Sequence, residues 1–237
     1  MDDKTNLQAF VTNLGKYTEG HLIGEWVSFP TDRETMQQVF DRIGINEQYP
    51  EYFITDYDIG IREMSEYLGE YQSLDELNYL AKEMAGMDEQ ELSKFEGILQ
   101  SGVGLPEQEN AKAYINLIHN LDCYELLEGV TNDEEYGSYI LTNSEISMNN
   151  NEQVQWLLQY VDTEAVGRDA CINDQGNYCD AGYICRNGNN YEEIYHGLTD
   201  DIPGEYRVTG DGQNQELMKE AERLMEQAET QAAVLGR

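Results

Sequence analysis

The sequence predicts an α+β protein built from three small regions in series and followed by one more helix. Three observations carry this expectation. Apolar residues partly alternate over residues 7–14, 23–29 and 51–57, as in half-buried strands. They recur at helical spacing between residues 61 and 121, and turn residues crowd the stretch from 171 to 196. At 237 residues the chain can hold one large domain or two to three small ones. Its 40% hydrophobic content and 17 Tyr supply cores, unlike a highly charged disordered chain.

The first region, residues 1–60, reads as an α+β domain with a short antiparallel sheet. Leu7–Leu14 and Ile23–Phe29 are its first strands, with Gly15–Gly20 as a loop or hairpin connection and Pro30 as the stop. Thr31 and Glu34 have capping-box spacing, in which a hydroxyl and a carboxylate satisfy two orphan amides. Met36, Val39, Phe40 and Ile43 then mark one helical face, and Gly44 is placed to end it. Glu51–Tyr57 reads as the third strand.

Residues 61–105 read as a helical, acidic domain. Ser73 with Glu76 repeats the capping pattern before Leu77, Leu80, Ala81 and Met84. Asp88 opens a second helix with Leu92, Phe95 and Leu99 as its buried stripe and Gly102 as its end.

Residues 106–198 read as a mixed α+β domain. Pro106 suits the first turn of a helix bearing Tyr114, Leu117, Ile118 and Leu121. Segments 124–130 and 138–142 fit strands or short helices equally well by period. Trp156–Val166 reads as a helix ending near Gly167, and 171–196 as short strands joined by hairpins at Gly176-Asn177, Gly182 and Asn187-Gly188. Residues 199–237 read as a linker with Pro203 and Gly204, then an amphipathic helix through Leu217, Ala221, Leu224, Met225 and Ala228.

Charge dominates the functional reading. Fourteen Lys and Arg face 47 Asp and Glu, a net charge of −33. Residues 51–200 hold 31 acids and six bases, so −25 of that charge lies on segments with apolar periodicity rather than in an acidic tail. Such a surface is repelled by nucleic-acid phosphates and anionic lipid, so direct DNA or RNA binding and membrane association are disfavoured. A partner that itself binds polyanions is favoured. The polar opening Met1–Asn6 leads into no apolar signal segment, and no apolar run approaches the roughly 18 residues of a membrane span. A cytoplasmic location follows as the expectation. Cys123, Cys171, Cys179 and Cys185 lack zinc-type pairing and read as reduced thiols, with a disulfide among the last three as the lesser alternative.

No catalytic constellation stands out. G-x-S-x-G, P-loop and H-E-x-x-H patterns are missing, and His21, His119 and His196 have no motif partners. Asp56–Gly60 fails the calcium-loop pattern because Ile61 stands where glycine is needed. No catalytic residue, cofactor or metal site is therefore expected, and the chain does not read as an enzyme. Like charges at helical spacing work against folding by about 0.2–0.5 kcal/mol per pair. A functional return is expected, although a surface made for solubility or halophilic adaptation is the bland alternative. B-DNA carries one phosphate per roughly 1.7 Å of axis, read largely by Lys and Arg. Carboxylates at comparable intervals on a stiff body would occupy a DNA-binding groove in its place. The expected partner-facing carboxylates are Asp56, Asp58, Glu63, Glu66, Glu70, Asp75, Glu76, Glu83, Asp88, Glu89, Glu91, Glu96, Glu107, Glu109, Asp122, Glu125, Glu128, Asp133, Glu134 and Glu135.

Particular motifs sharpen this. Asn13–Gly20 continuing through Leu22–Pro30 resembles the opening of the ArdA-type antirestriction proteins, and Glu51–Tyr57 resembles the acidic strand that follows there. Tyr160–Asp169 is similar to that family's Y-x-D-x-x-A-x-G-R-D signature, although Val166 stands where an aromatic is common. Gly182–Arg186 and Tyr191–Tyr195 resemble its closing strands. The resemblance implies an elongated chain of three small domains that dimerises through the last, is carried by mobile elements, and mimics bent B-DNA. It implies as partner a type I restriction-modification enzyme, blocked at the DNA-binding groove of its methyltransferase core. Residues 199–237 continue past the family's usual end. An acidic adaptor or chaperone for basic nucleic-acid-binding proteins is the competing reading.

Overall fold

The computed structural model describes residues 4–65, 67–105, 110–143 and 152–209. The chain is mixed α+β with small antiparallel sheets, and it divides into two compact units. The first comprises residues 1–86, 108–115 and 194–237, and the second residues 87–107 and 116–193.

In the first unit, β1 (Leu7–Asn13) is the central strand of a β2-β1-β3 sheet, flanked antiparallel by β2 (Gly24–Phe29) and β3 (Tyr52–Ile59). Leu7, Ala9 and Val11 point inward because strand side chains alternate faces. The connection expected at Gly15–Gly20 is a helical turn, α1 (Leu14–Thr18). Asn13 creates it: its side-chain oxygen accepts from Lys16 N, and its amide nitrogen donates to the carbonyls of Ile43 and Gly44. Helix α2 (Arg33–Ile43) buries Met36, Val39, Phe40 and Ile43 as its periodicity predicts. Its N-cap is Asp32, one residue later than the expected Thr31, since Asp32 has the extended backbone and accepts from Thr35 N at 2.8 Å. Gly44 ends the helix at φ 79°, a conformation glycine adopts without a Cβ clash. A short α3 (Arg62–Ser65) leads to α4 (Leu74–Gly86), whose Leu74, Leu77, Leu80, Ala81 and Met84 are buried. Residues 194–209 return to this unit and form two single 3-10 turns, Thr199–Asp201 and Gly204–Tyr206, the second of which packs on α4. The amphipathic helix expected through 217–228 lies outside the described residues.

In the second unit, α5 (Glu89–Ser101) begins with a complete capping box between Asp88 and Glu91 and ends at Gly102, φ 72°. Helix α6 (Ala111–His119) starts among residues of the first unit and finishes in the second. The ambiguous segment after it is a strand, β4 (Tyr124–Glu128), whereas 138–142 belongs to a helix, α7 (Asp133–Asn143). The single helix expected over 156–166 is two, α8 (Glu152–Leu158) and α9 (Thr163–Asp174). Asp162 divides them by capping α9, accepting from Ala165 N at 3.0 Å. Gly167 is thus inside a helix, and Cys171 lies on that helix rather than in a strand. Strands β5 (Asn177–Cys179) and β6 (Gly182–Arg186) complete an antiparallel β4-β6-β5 sheet. Tyr191–Tyr195 forms no strand, because the Asn120 side chain takes the neighbour's place: it accepts from Glu192 N at 2.8 Å and donates to Glu192 O at 2.8 Å. Between α7, α9 and the sheet lies a core of Val130, Tyr136, Tyr183 and Cys185, with the Tyr136 and Tyr183 rings stacked 4.0 Å apart. All four cysteines are free.

Candidate partner-binding surface

On β3 a bulge decides which carboxylates face out. Phe10 pairs with Asp56 but Val11 pairs with Ile54, so Thr55 is an extra residue that shifts the strand's alternation. Tyr52, Phe53 and Ile54 are buried before the bulge; Asp56 and Asp58 are exposed after it, two residues apart on one face. Glu70 is exposed nearby in sequence, and Glu63 and Glu83 are half-buried.

Two predicted carboxylates of the first unit are not on the surface. Asp75 is 0% exposed, and its oxygens accept from Val208 N, Thr209 N and Thr209 Oγ1 at 2.6, 2.8 and 2.8 Å. Glu76 is half-buried and accepts from Tyr195 Oη at 2.7 Å and Gln72 Nε2 at 2.6 Å. Nothing in a helix's spacing reveals that a segment more than a hundred residues later will cover one of its faces.

The second unit gathers carboxylates from separate elements. Asp88 and Glu91 at the start of α5, Asp122 before β4, and Glu125 and Glu128 on β4 line one concave surface of about 430 Å³. Tyr124, Leu126 and Lys94 share it, Lys94 donating to Leu121 O at 3.4 Å. Glu125 and Glu128 are exposed on the edge strand β4, three residues apart and so on opposite faces, while Tyr124 is buried. Glu89 and Glu134 are exposed; Glu96 is half-buried. Asp133 is half-buried and accepts from Tyr178 Oη at 2.7 Å. Glu135 is exposed, and hydrogen bonds from the Thr131 amide and hydroxyl hold its carboxyl below the usual range. Glu66, Glu107 and Glu109 lie outside the described residues.

Glu34, Glu51, Asp169, Asp200 and Glu205, outside the expected set, are exposed as well. Ion pairing removes some charge elsewhere: Arg42 grips Glu25 with two hydrogen bonds at 2.7 and 2.8 Å, which lowers that carboxyl's pKa. Among the described residues no group of three or more His, Cys, Asp or Glu is arranged to hold a metal ion. Nor is any described helix long and apolar enough to cross a membrane.

The model of one protein family, antirestriction protein (ArdA), matches residues 9–185. The chain belongs to the ArdA family. No match was found among curated proteins. Membership makes this an antirestriction protein. The ArdA match takes in β1 through almost all of β6 and every described carboxylate expected at the surface. It stops before the segment that covers Asp75 and Glu76.

Proposed function

We propose that this ArdA-family protein mimics double-stranded DNA and blocks the DNA-binding groove of a type I restriction-modification enzyme. The observation that carries the reading is the outward placement of carboxylates on regular elements. Asp56 and Asp58 stand on a strand, and Asp88, Glu91, Asp122, Glu125 and Glu128 converge from a helix start, a turn and a strand. Carboxylates fixed by backbone geometry cost little further ordering when a basic groove closes on them. They also attract such a groove over a Debye length and release its counterions, as phosphates do.

The reading includes an elongated homodimer acting in the cytoplasm, with portions 1–60, 61–105 and 106–198 in series and the last as the dimer contact. Support for the contact comes from α8 and the turn after it, where Trp156, Leu157 and Tyr160 are 56%, 57% and 71% exposed. Large exposed aromatics of this kind mark association surfaces.

The experiment is competition. Purified protein is added to a type I enzyme and its DNA, and both DNA binding and ATP-dependent cleavage are followed at low and raised ionic strength. Displacement of DNA that weakens steeply with salt supports the reading. A folded protein that leaves DNA binding unchanged at low salt rejects it. Equal capture of unrelated basic proteins would point to an acidic adaptor instead.

A further inference from the structure

The segment after the family match is anchored to α4 at three places. The Tyr195 hydroxyl donates to Glu76, and its ring meets Tyr79 edge-on at 6.0 Å. Ile202 is 0% exposed. Tyr206 stacks on Tyr79 at 5.9 Å with planes 14° apart, and its carbonyl accepts from Asn78 Nδ2 at 2.9 Å. At the end of the segment, Val208 N and Thr209 N both converge on Asp75 Oδ1, and Thr209 Oγ1 reaches Asp75 Oδ2.

A carboxylate taken out of water is heavily penalised unless donors replace its hydration. Asp75 has three such donors. The dependence is mutual, since the two amides lie outside any helix or strand and find their acceptor in Asp75.

We propose that residues 195–209 form a latch closed over α4, with Asp75 as the group that decides whether it is shut. Closed, the latch withdraws Asp75 and Glu76 from the outer charge and turns Asp200 and Glu205 outward. Open, it returns both α4 carboxylates to solvent and uncovers Tyr79. This device stands apart from the DNA-mimic reading and would operate whatever the partner.

The test uses the full-length protein. In the parent, the Val208 and Thr209 amides should exchange at least about tenfold more slowly than free-chain amides, and trypsin should spare the Arg207–Val208 bond. Asp75→Asn leaves one oxygen for the two amides but removes the negative charge that strengthens their hydrogen bonds, and reverses the bond to the Thr209 hydroxyl. That variant should lose at least about tenfold in protection at both amides and yield a product ending at Arg207, with α5 and β6 amides unchanged. Thr209→Val removes only the hydroxyl bond and should give the same product more slowly, which keeps the test decisive if Asp75→Asn does not fold. Free-chain exchange at Val208 and Thr209 in the parent would overturn the latch. So would protection that neither variant alters.

Discussion

Gly137 on α7 and Gly167 on α9 meet backbone to backbone. A Cβ built on Gly137 would lie 1.8 Å from the carbonyl oxygen of Thr163, and one on Gly167 would lie 1.8 Å from that of Asp133. Neither residue has a left-handed backbone, so each is glycine for want of space rather than for conformation.

Gly137→Ala and Gly167→Ala should each therefore force the two helices apart. The obstructing atoms are main chain, so no rotamer change relieves the contact, and a loss of about 3 kcal/mol or more is expected. Thermal or urea unfolding of each variant checks this. The double variant should cost less than the sum, because one separation of the helices serves both.

Glu135 makes a pH-dependent contribution through Thr131. Hydrogen bonds from the Thr131 amide and hydroxyl keep its folded pKa below the ordinary 4.5. Its stabilisation is thus fully present above that value and is lost as pH falls through the folded pKa. Glu135→Gln should melt below the parent at neutral pH, and the two should converge as pH drops below the carboxylate range. Paired melting curves across that range are the measurement.

The thiols should react in two classes. Burial pushes the Cys185 thiol up to about 11, and burial followed by the Asp122 charge raises that of Cys123. Both are also shielded, whereas Cys171 and Cys179 are only half-buried. A maleimide at mildly alkaline pH should label Cys171 and Cys179 first, with Cys123 and Cys185 joining on unfolding. Peptide mass mapping at short labelling times reads the order.

Inhibition of a type I enzyme should fall cumulatively with lost charge. Neutralising Glu125 alone should change it less than about threefold, as for one exposed charge among many. Replacing Asp88, Glu91, Asp122, Glu125 and Glu128 together with their amides should weaken it by at least about a hundredfold at low salt and flatten its salt dependence. A single replacement that abolished inhibition in a folded protein would show a local hot spot instead.

Local signals in the sequence reached far. The α2 stripe, the Gly44 and Gly102 stops and the Asp88–Glu91 capping box are all legible because the partners lie within one or two turns. Asp162 was legible in type but hidden by apolar residues that run on at helical spacing across the break. Gly167 looked like a stop because its reason is an approach to α7, thirty residues earlier. Among the candidate carboxylates, Asp56 and Asp58 follow from strand alternation on β3, and Asp88, Glu89 and Glu91 from the start of α5. Asp75 did not, since only a segment 133 residues later makes it an interior acceptor.

The chain order of the two units has a consequence for biosynthesis. Residues 7–86 are finished by residues 194–209, while the second unit occupies most of what lies between. A ribosome therefore delivers every strand and helix of the second unit before it delivers the piece that completes the first. The nascent first unit must wait half-made, with one face of α4 uncovered, until residues 194–209 leave the ribosome.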